Sequence, residues 1–456
     1  MWIRLDEVPS MPREDLETLF RDHCGQGFYK LLKFSGLGVR FVRAFGCSLW
    51  DENGEEYLDF LGGFGALNLG HNHPRITAAV SRHMKAPNLA QQSMNPYRAV
   101  LGANLSALTG DVLSVCAFTN SGTETVEEAL KMALLRKKGA VLCCRGGYHG
   151  KTMGSASALG IPGKLKAPRF KGIFHEVPFG DFERLERTAK RYNASAFLVE
   201  PIQAEGGIRL PPLDYFRRVR ELCTRLGITF ILDEIQTGFG RCGSMFCCES
   251  YGVWPDILCL SKTLSGGIMP VGCALARREL WDETYGKTKY ASFPSSTFGG
   301  NTLACVAGIE TLSVLRDEEL PRKAARLGEY AMSRLEVLRK RHPMITDVRG
   351  RGLLIGVEFG PVRKLLPKAA GEFMMTTVLN RLLREHRILC GLTSDPAVMR
   401  VEPPLTVTEA EIDRFAEALD SVLEEEDSRF RLLLDAAVTA SRGYREMKEL
   451  EPRAAL

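Results

Sequence analysis

The sequence lacks long apolar segments and a strong excess of charge of either sign. Nowhere do about 18 consecutive apolar residues occur, the length that a membrane-spanning helix needs. Residues 1–7 show no basic stretch leading into an apolar core, so no secretory signal is expected. The 60 basic and 55 acidic residues leave a formal net charge of only +5, which gives no argument for binding to nucleic acid or to a membrane. We therefore expect a cytoplasmic enzyme that binds neither.

The thirteen cysteines lack the spacing of a metal site. No Cys-x-x-Cys pair occurs, and two pairs of cysteines are directly adjacent, at 143–144 and 247–248. We interpret them as reduced thiols without a disulfide or a metal. His71 and His73 have no third ligand nearby in the sequence, so we interpret them as loop residues and expect no metal.

Three common nucleotide and hydrolase motifs are missing too. A dinucleotide site needs Gly-x-Gly-x-x-Gly after the first strand, with an acid about 20 residues later. Gly350-Arg-Gly352 lacks the third glycine and lies far along the chain. Neither a phosphate-binding Gly-x-x-x-x-Gly-Lys-Ser/Thr motif nor a Gly-x-Ser-x-Gly motif stands at a suitable strand-helix junction. A nicotinamide enzyme is therefore not expected.

Short apolar runs alternate with helix-like stretches between about residues 100 and 310. Their nearly continuous apolar character is typical of strands that are covered on both faces. The clearest predicted strands are Val112–Phe118, Ala140–Cys144, Ala196–Glu200, Ile228–Asp233 and Ile257–Leu260. This pattern predicts an α/β fold with a mainly parallel sheet.

The two ends of the chain predict a second, smaller α+β domain. Asn53-Gly54 lies between two apolar-bearing runs, which is a strong signal for a β-hairpin. A long helix is predicted over Leu320–His342, and Thr406–Glu411 resembles a helix start with a threonine cap and acids in the first turn. The predicted divisions are 1–60 and 321–425 for the small domain, 61–320 for the large cofactor-binding domain, and 426–456 for a helical C-terminal extension.

Lys262 and Asp233 each end a predicted apolar strand. An amine and a carboxylate brought to one face of a sheet by separate strands are what a pyridoxal phosphate site needs. The lysine amine can bond to the cofactor aldehyde, and the aspartate can keep the pyridine nitrogen protonated. Burial of an acid is costly unless a cation pairs with it, and the protonated ring would be that cation.

Three further segments could complete such a site. Asn120–Glu124 follows a predicted strand and precedes a helix, so the backbone and hydroxyl groups of Gly122 and Thr123 could hold a phosphate, although a simple capped helix fits the same pattern. Tyr148 could stack on a planar ring or be an ordinary loop aromatic. Glu200–Gly207 could line a site mouth with carboxylates or form a turn with solvated acids.

Six motifs together resemble the class III pyridoxal-phosphate aminotransferases, in order and between about Phe41 and Leu405. They are Asn120-Ser-Gly-Thr-Glu124, Tyr148-His-Gly150, Glu200-Pro-Ile-Gln-Ala-Glu-Gly-Gly207, Asp233-Glu-Ile-Gln-Thr-Gly-Phe-Gly240, Ser261-Lys262 and Ser296-Thr-Phe-Gly-Gly-Asn301. Each motif alone is weak, whereas the ordered set is specific. The resemblance implies the fold-type I architecture and pyridoxal 5′-phosphate as cofactor, and it is closest to the ornithine, acetylornithine, putrescine and other ω-amino enzymes.

The resemblance also implies roles around the cofactor ring. Lys262 would bond to the cofactor and move the reacting proton, and Asp233 would pair with the pyridine nitrogen. Tyr148 would stack on the ring, and Gln236 would approach the phenolic oxygen.

Phosphate binding and assembly follow from the same resemblance. Gly122 and Thr123 would bind the phosphate, and Thr297 would reach the phosphate of the neighbouring subunit's cofactor. A homodimer with shared active sites is therefore expected.

On the substrate side, Arg400 resembles the family's carboxylate-binding arginine. Glu205 resembles the glutamate that pairs with it when a substrate has no carboxylate there, and Phe64 lies where relatives shape the amine pocket. The sequence departs from the usual motifs at Cys242 and at Ser265-Gly-Gly267, and either departure could alter the pocket.

These features predict a ping-pong aminotransferase. The expected donor carries a terminal amine, as a diamine or an ω-amino acid does, and the expected acceptor is an oxo acid such as 2-oxoglutarate. The alternatives are an aminomutase, racemase or decarboxylase on the same scaffold, or a protein that retains the cofactor without turnover and binds a partner.

Overall fold

A seven-stranded sheet forms the centre of the protein. The computed structural model describes residues 2–89, 93–160, 170, 172–360 and 368–425. The strands of the central sheet are β4 (Val115–Thr119), β5 (Ala140–Cys144), β6 (Phe174–Val177), β7 (Ala194–Val199), β8 (Thr229–Asp233), β9 (Ile257–Leu260) and β10 (Gly272–Ala276). Their order is β4-β10-β9-β8-β7-β5-β6, and only β10 runs antiparallel to its neighbours. The predicted mainly parallel α/β sheet is confirmed.

The predicted strands are present, and two more join them. Ala140–Cys144 and Ile257–Leu260 have the predicted bounds, whereas the strand expected from Val112 begins at Val115. The sequence prediction missed β6 and β10. Strand β10 reads Gly-Cys-Ala-Leu-Ala, and the glycine and alanines in it have low strand propensity.

Apolar side chains cover both faces of the central sheet. Along β5, Leu142 and Cys144 belong to one buried cluster, while Val141 and Cys143 belong to another. Alternate residues of a strand point to opposite faces, so these clusters lie on the two sides of the sheet. This double coverage is the reason that the strands read as continuous apolar runs.

Helices and short connecting turns supply the rest of this covering. The α-helices are α1 (Arg13–His23), α2 (Gln26–Phe34), α3 (Gly62–Gly65), α4 (Pro74–His83), α5 (Pro96–Leu108), α6 (Gly122–Arg136), α7 (Met153–Ser157), α8 (Phe182–Arg191), α9 (Tyr215–Leu226), α10 (Arg278–Thr284), α11 (Thr302–Asp317), α12 (Leu320–Arg341), α13 (Lys368–Glu385) and α14 (Glu409–Glu425). Short 3-10 helices cover Leu5–Glu7, Cys247–Tyr251, Lys262–Ser265 and Thr288–Tyr290. Of the helices described, none has both the length and the apolar character needed to cross a bilayer.

Two further four-stranded sheets are formed by strands that come before and after those of the central sheet in the sequence. Their strands are β1 (Phe41–Phe45), β2 (Ser48–Asp51), β3 (Glu56–Asp59), β11 (Ile345–Arg351), β12 (Leu354–Phe359), β13 (Ile388–Leu389), β14 (Gly391–Leu392) and β15 (Val398–Val401). The first sheet has the order β1-β2-β3-β13 and the second β11-β12-β15-β14. Strand β13 pairs in parallel with β3, so segments from both ends of the chain share one sheet. The domain boundaries themselves stay a prediction.

The predicted hairpin and helix start are both present. Strands β2 and β3 are antiparallel, and Asp51 Oδ1 accepts hydrogen bonds from the N–H groups of Asn53 and Glu55 in the turn between them. At the start of α14, the N–H of Thr408 donates to Glu411 Oε2 and the N–H of Glu411 donates to Thr408 Oγ1, which is a reciprocal capping box. The helix predicted over Leu320–His342 is α12, and the predicted extension at 426–456 lies outside the described residues.

Candidate active site

Lys262 and Asp233 meet at the carboxyl ends of two neighbouring strands. Strands β8 and β9 pair in parallel, with Asp233 opposite Cys259, and Lys262 lies two residues after the end of β9. The Lys262 amine donates hydrogen bonds to the carbonyl of Phe64 at 2.6 Å and to Gln236 Oε1 at 2.5 Å. The backbone of Lys262 has a φ of +43°, a left-handed conformation that is strained for a side chain of this size. The structure thus places the amine and the carboxylate on one edge of the sheet, as the sequence predicted.

The surroundings of the Lys262 amine favour its neutral form. Burial lowers the pKa of Lys262 to about 8, although the charges of Glu402, Glu205 and Asp233 oppose this shift. The neighbouring Arg400 guanidinium lowers the pKa further. Part of Lys262 still reaches solvent, so we attribute the shift to the protein enclosing the amine end of the side chain.

Asp233 forms a buried cluster with His149 and Glu200. The Nδ1 atom of His149 lies 2.8 Å from Asp233 Oδ2, and both side chains are almost fully buried. Burial opposes protonation of His149, but the hydrogen bond and charge of Asp233 prevail and raise the pKa of the imidazole. Burial raises the pKa of Glu200 to about 7, and Asp233 adds to that shift while His149 opposes it. The sequence analysis quoted His149 within a motif but gave it no role.

Tyr148 and Glu200 are joined through the backbone. The N–H of Tyr148 donates to Glu200 Oε2 at 2.9 Å, and the N–H of Ala204 donates to Glu200 Oε1 at 3.3 Å. Tyr148 is half-buried, and burial together with the charges of Glu205 and Asp233 raises the pKa of its phenol. Glu200 is therefore a buried carboxylate that fixes the Tyr148 loop, whereas the sequence analysis left open a solvated turn.

The segment Asn120–Glu124, which we name the phosphate cradle, opens helix α6. The first backbone hydrogen bond there runs from the Thr125 N–H to the Ser121 carbonyl, so the N–H groups of Gly122 and Thr123 precede the hydrogen-bonded helix. Ser121 also caps the helix by accepting from the Glu124 N–H. The capped helix and the open N–H groups that an anion needs therefore coexist.

Two glycines keep the phosphate cradle close to its neighbours. A Cβ atom added at Gly122 would lie 2.9 Å from Ile235 Cδ1, and one added at Gly150 would lie 2.2 Å from Thr123 Oγ1. That hydroxyl already accepts hydrogen bonds from the N–H groups of Lys151 and Thr152. Thr123 thereby ties the cradle to the loop that carries Tyr148 and His149.

Phe64, Glu205 and Arg400 come together near Lys262. The Arg400 side chain on β15 is fully buried, and its Nη2 atom lies 2.7 Å from Glu205 Oε1. The guanidinium carbon lies 5.5 Å from the centre of the Phe64 ring. Among the described residues, none accepts a hydrogen bond from Nε or Nη1 of the guanidinium, while Nη2 faces Glu205. Its N–H groups can therefore turn to a ligand.

Glu402 is a site residue that the sequence analysis missed. It is fully buried, its Oε2 atom lies 3.7 Å from Arg400 Nη1, and both of its carboxylate oxygens accept from Gln236 Nε2, at 2.6 and 3.0 Å. Because Gln236 Oε1 accepts from Lys262, the glutamine connects the lysine amine to Glu402. A usable signal was present, since Arg400 and Glu402 are two positions apart and residues at that spacing share one face of an extended chain.

Thr297 lies in an exposed loop before α11. The preceding Ser296 accepts a hydrogen bond from Asn120 Nδ2 at 3.0 Å, which holds this loop against the phosphate cradle of the same chain. The neighbouring Phe293 and Phe298 are both more than half exposed. The role of Thr297 toward a second subunit stays a prediction.

The model of the family described as Aminotransferase class-III matches residues 35–423. The chain belongs to this family. A putrescine aminotransferase of Pectobacterium atrosepticum is 36% identical over 437 residues, which cover 92% of this chain and 90% of that protein. The solved ornithine aminotransferase of Toxoplasma gondii superposes with a TM-score of 0.79 and 31% identity, covering 92% of this chain and 97% of its own. An amine transaminase of an uncultivated Pseudomonas species, solved with pyridoxal phosphate bound, has a TM-score of 0.79 and 27% identity over 85% of this chain and 95% of its own.

This class III aminotransferase has the fold-type I architecture and uses pyridoxal 5′-phosphate. The residues at its site fit that cofactor: Lys262 supplies a buried amine, Asp233 a buried carboxylate, and the phosphate cradle a set of open N–H groups. Gly122 also packs closely on Ile235, so a larger residue at that turn would have to displace the Ile235 side chain. The sequence-based assignments of family, fold and cofactor are therefore confirmed.

The two departures from the usual motifs, at Cys242 and at Ser265, are both buried in the aminotransferase. Cys242 is buried next to Arg241, whose guanidinium donates to the carbonyls of Leu353 and Pro403 and to Asn68 Oδ1. Ser265 is buried after the lysine and accepts a hydrogen bond from the N–H of Met269. Each departure is thus part of the framework around the site.

Proposed function

We propose that this aminotransferase moves an amino group from a donor with a terminal amine, a diamine or an ω-amino acid, to an oxo acid such as 2-oxoglutarate. The observation that carries the proposal is the ion pair between Arg400 and Glu205, whose charges act on the Lys262 amine. The relatives named for putrescine and ornithine support the donor class, since both of those compounds carry a terminal amine.

Bound pyridoxal phosphate supplies an aldehyde and a ring that accepts electrons from the reacting carbon. Asp233 would pair with the ring nitrogen, and His149, whose Nδ1 lies 2.8 Å from Asp233 Oδ2, would hold that carboxylate in place. With a pKa of about 8, the Lys262 amine is partly neutral near physiological pH and can take and return the proton of the reacting carbon. Tyr148 would cover one face of the ring, and Gln236 would orient the lysine and the phenolic oxygen.

A ping-pong aminotransferase must accept two different molecules in one pocket. An acceptor with a distal carboxylate would bind Arg400 through two N–H groups, and a donor without one would leave Arg400 paired with Glu205. Glu205 suits a movable role because its side chain is 23% exposed, whereas the Arg400 side chain is fully buried. Phe64, which is half-exposed beside the guanidinium, would line the path of the amine.

The assembly and location belong to the same proposal. Thr297 and the exposed Phe293 and Phe298 fit a surface that is covered by a second copy of the chain, with Thr297 reaching the other subunit's phosphate. Thirteen cysteines without a disulfide fit the reducing cytoplasm. Sedimentation equilibrium should give a dimer, and a Thr297→Ala variant should bind the cofactor more weakly while remaining dimeric.

A spectroscopic amine screen tests the proposed activity. Terminal amines should abolish the absorbance of the lysine-bound cofactor in the purified holoenzyme, and 2-oxoglutarate should restore it with formation of glutamate. Lys262→Ala should lose both the covalent attachment and turnover. Retention of both in that variant, or a product that keeps its amino group, would refute the proposed transfer and favour the aminomutase, racemase or decarboxylase alternative.

A further inference from the structure

We propose that Glu402 sets the donor preference, by favouring a donor whose distal end is a cation over one whose distal end is a carboxylate. The inference rests on the proposed function, because it concerns the same pocket. It goes further by assigning the selection to one buried residue and by choosing the diamine from the two donor classes.

Two carboxylates flank the single guanidinium of Arg400. Glu205 Oε1 lies 2.7 Å from Nη2, and Glu402 Oε2 lies 3.7 Å from Nη1. One carboxylate is enough to neutralise the arginine. The second adds a negative charge at this end of the pocket while both are in place. The buried Arg241, whose charge also acts on Glu402, forms no ion pair with it and donates to the carbonyls of Leu353 and Pro403 and to Asn68 Oδ1 instead.

The two carboxylates differ in their freedom to move. Glu205 is partly exposed, and its second oxygen accepts from Ser394 Oγ at 3.1 Å. Glu402 is fully buried, both of its oxygens are held by Gln236, and its backbone N–H donates to the Phe60 carbonyl at 2.8 Å. When Glu205 swings away, Glu402 stays.

This difference decides which distal group the pocket accepts. With Glu205 withdrawn, Glu402 alone balances Arg400, so an entering carboxylate adds an uncompensated negative charge near a buried one. With Glu205 in place, a distal ammonium enters a pocket that already carries an excess negative charge. The arrangement therefore favours diamines and weakens the binding of every substrate with a distal carboxylate, including 2-oxoglutarate.

The wild-type holoenzyme gives the first test. 1,4-Diaminobutane and 4-aminobutanoate have the same chain length and differ only in carrying an ammonium or a carboxylate at the distal end. The diamine should have the higher kcat/KM by about tenfold or more, because like charges placed together in a binding site cost at least that factor. A wild-type preference for 4-aminobutanoate would overturn the proposal.

The variant Glu402→Gln gives the second test, since it removes the charge and keeps the shape and the contact with Gln236. We expect the KM for the diamine to rise and the KM for 2-oxoglutarate to fall, each about tenfold, while the KM for pyruvate, which has no distal carboxylate, stays within about twofold. A role that is only structural would instead change kcat for all substrates together. Glu128→Gln is the matched control, because Glu128 is also a buried glutamate but lies in the second turn of α6, paired with Lys131.

Binding of glutarate, a dicarboxylate that cannot react, provides a readout independent of turnover. Calorimetry on the holoenzyme should show glutarate binding about tenfold more tightly to Glu402→Gln than to the wild type, with Glu128→Gln unchanged. Equal affinity in all three proteins would refute the role of Glu402. If no amine reacts with the wild type, the proposed function fails, and the glutarate comparison still decides this inference.

Discussion

The substitution Gly150→Ala should weaken cofactor binding, because the added methyl group would clash with Thr123 in the phosphate cradle. Gly150 has a φ of +121°, and an added Cβ would lie 2.2 Å from Thr123 Oγ1 and 2.8 Å from Ser155 Oγ. Thr123 cannot simply rotate away, because its hydroxyl accepts from two backbone N–H groups and lies 2.8 Å from Ser155 Oγ. The methyl group must therefore displace the phosphate cradle or the loop beside it.

Two terms contribute to the expected loss of stability. Holding a non-glycine residue at this φ costs about 1–2 kcal/mol, and forcing an extra methyl group into a packed site costs about 1–3 kcal/mol. Gly25→Ala is the matched control, because Gly25 has a similar φ of +106° and no atom within 4 Å of its added Cβ. The control should show the backbone term alone.

Thermal unfolding and cofactor titration measure the two consequences separately. Gly150→Ala should lower the unfolding midpoint of the cofactor-free protein further than Gly25→Ala does. It should also raise the Kd for pyridoxal phosphate about tenfold, or 1.4 kcal/mol, while Gly25→Ala leaves that Kd unchanged. Equal unfolding midpoints in the two variants, or wild-type cofactor affinity in Gly150→Ala, would refute the assignment of the cradle to Gly122 and Thr123.

Three other perturbations have defined outcomes. The rate of cofactor uptake by the cofactor-free enzyme, measured by stopped-flow absorbance, should rise with pH and level off above about 8. The reason is that the pKa of Lys262 is lowered to about 8 and only the neutral amine attacks the aldehyde. A rise centred near pH 10.5 would contradict this. His149→Phe should destabilise the protein by about 3–5 kcal/mol and weaken cofactor binding, because Asp233 loses its buried partner. Urea unfolding at matched pH measures this loss, with His149→Gln as the comparison variant. Arg241→Met should lower the stability by a similar amount, because three buried acceptors lose their donors. Arg241→Lys should not restore the stability, since lysine lacks the planar guanidinium. Wild-type stability of either variant would argue against this framework role.

The sequence pointed to candidate residues at strand ends more readily than to candidates that depend on distant partners. Lys262 and Asp233 were identifiable because each interrupts an apolar run at the point where a strand must end. The pairing of Glu402 with Gln236 joins positions 166 apart, and no local pattern encodes such a distance. The contact of His149 was not predictable for the same reason, since its partner, the Asp233 carboxylate, is 84 positions away.

Backbone conformation, too, was predictable from the sequence only where it depends on nearby residues. The left-handed backbone of Lys262 would not be expected of a lysine, because local propensity alone opposes it and only the surrounding contacts maintain it. The hairpin at Asn53-Gly54 and the capping box at Thr408 were predictable, since their geometry is set by residues only a few positions apart.

The chain of contacts from Lys262 through Gln236 and Glu402 to Arg400 has a consequence for protein engineering. The proposed substrate-binding pair, Arg400 and Glu402, is connected to the Lys262 amine through a single amide side chain, that of Gln236. Substitutions at position 236 or 400 alone will therefore also disturb turnover, whereas Glu402→Gln keeps the contact with Gln236 and should spare it. Libraries that vary positions 236, 400 and 402 jointly should recover active variants that one-at-a-time scanning passes over.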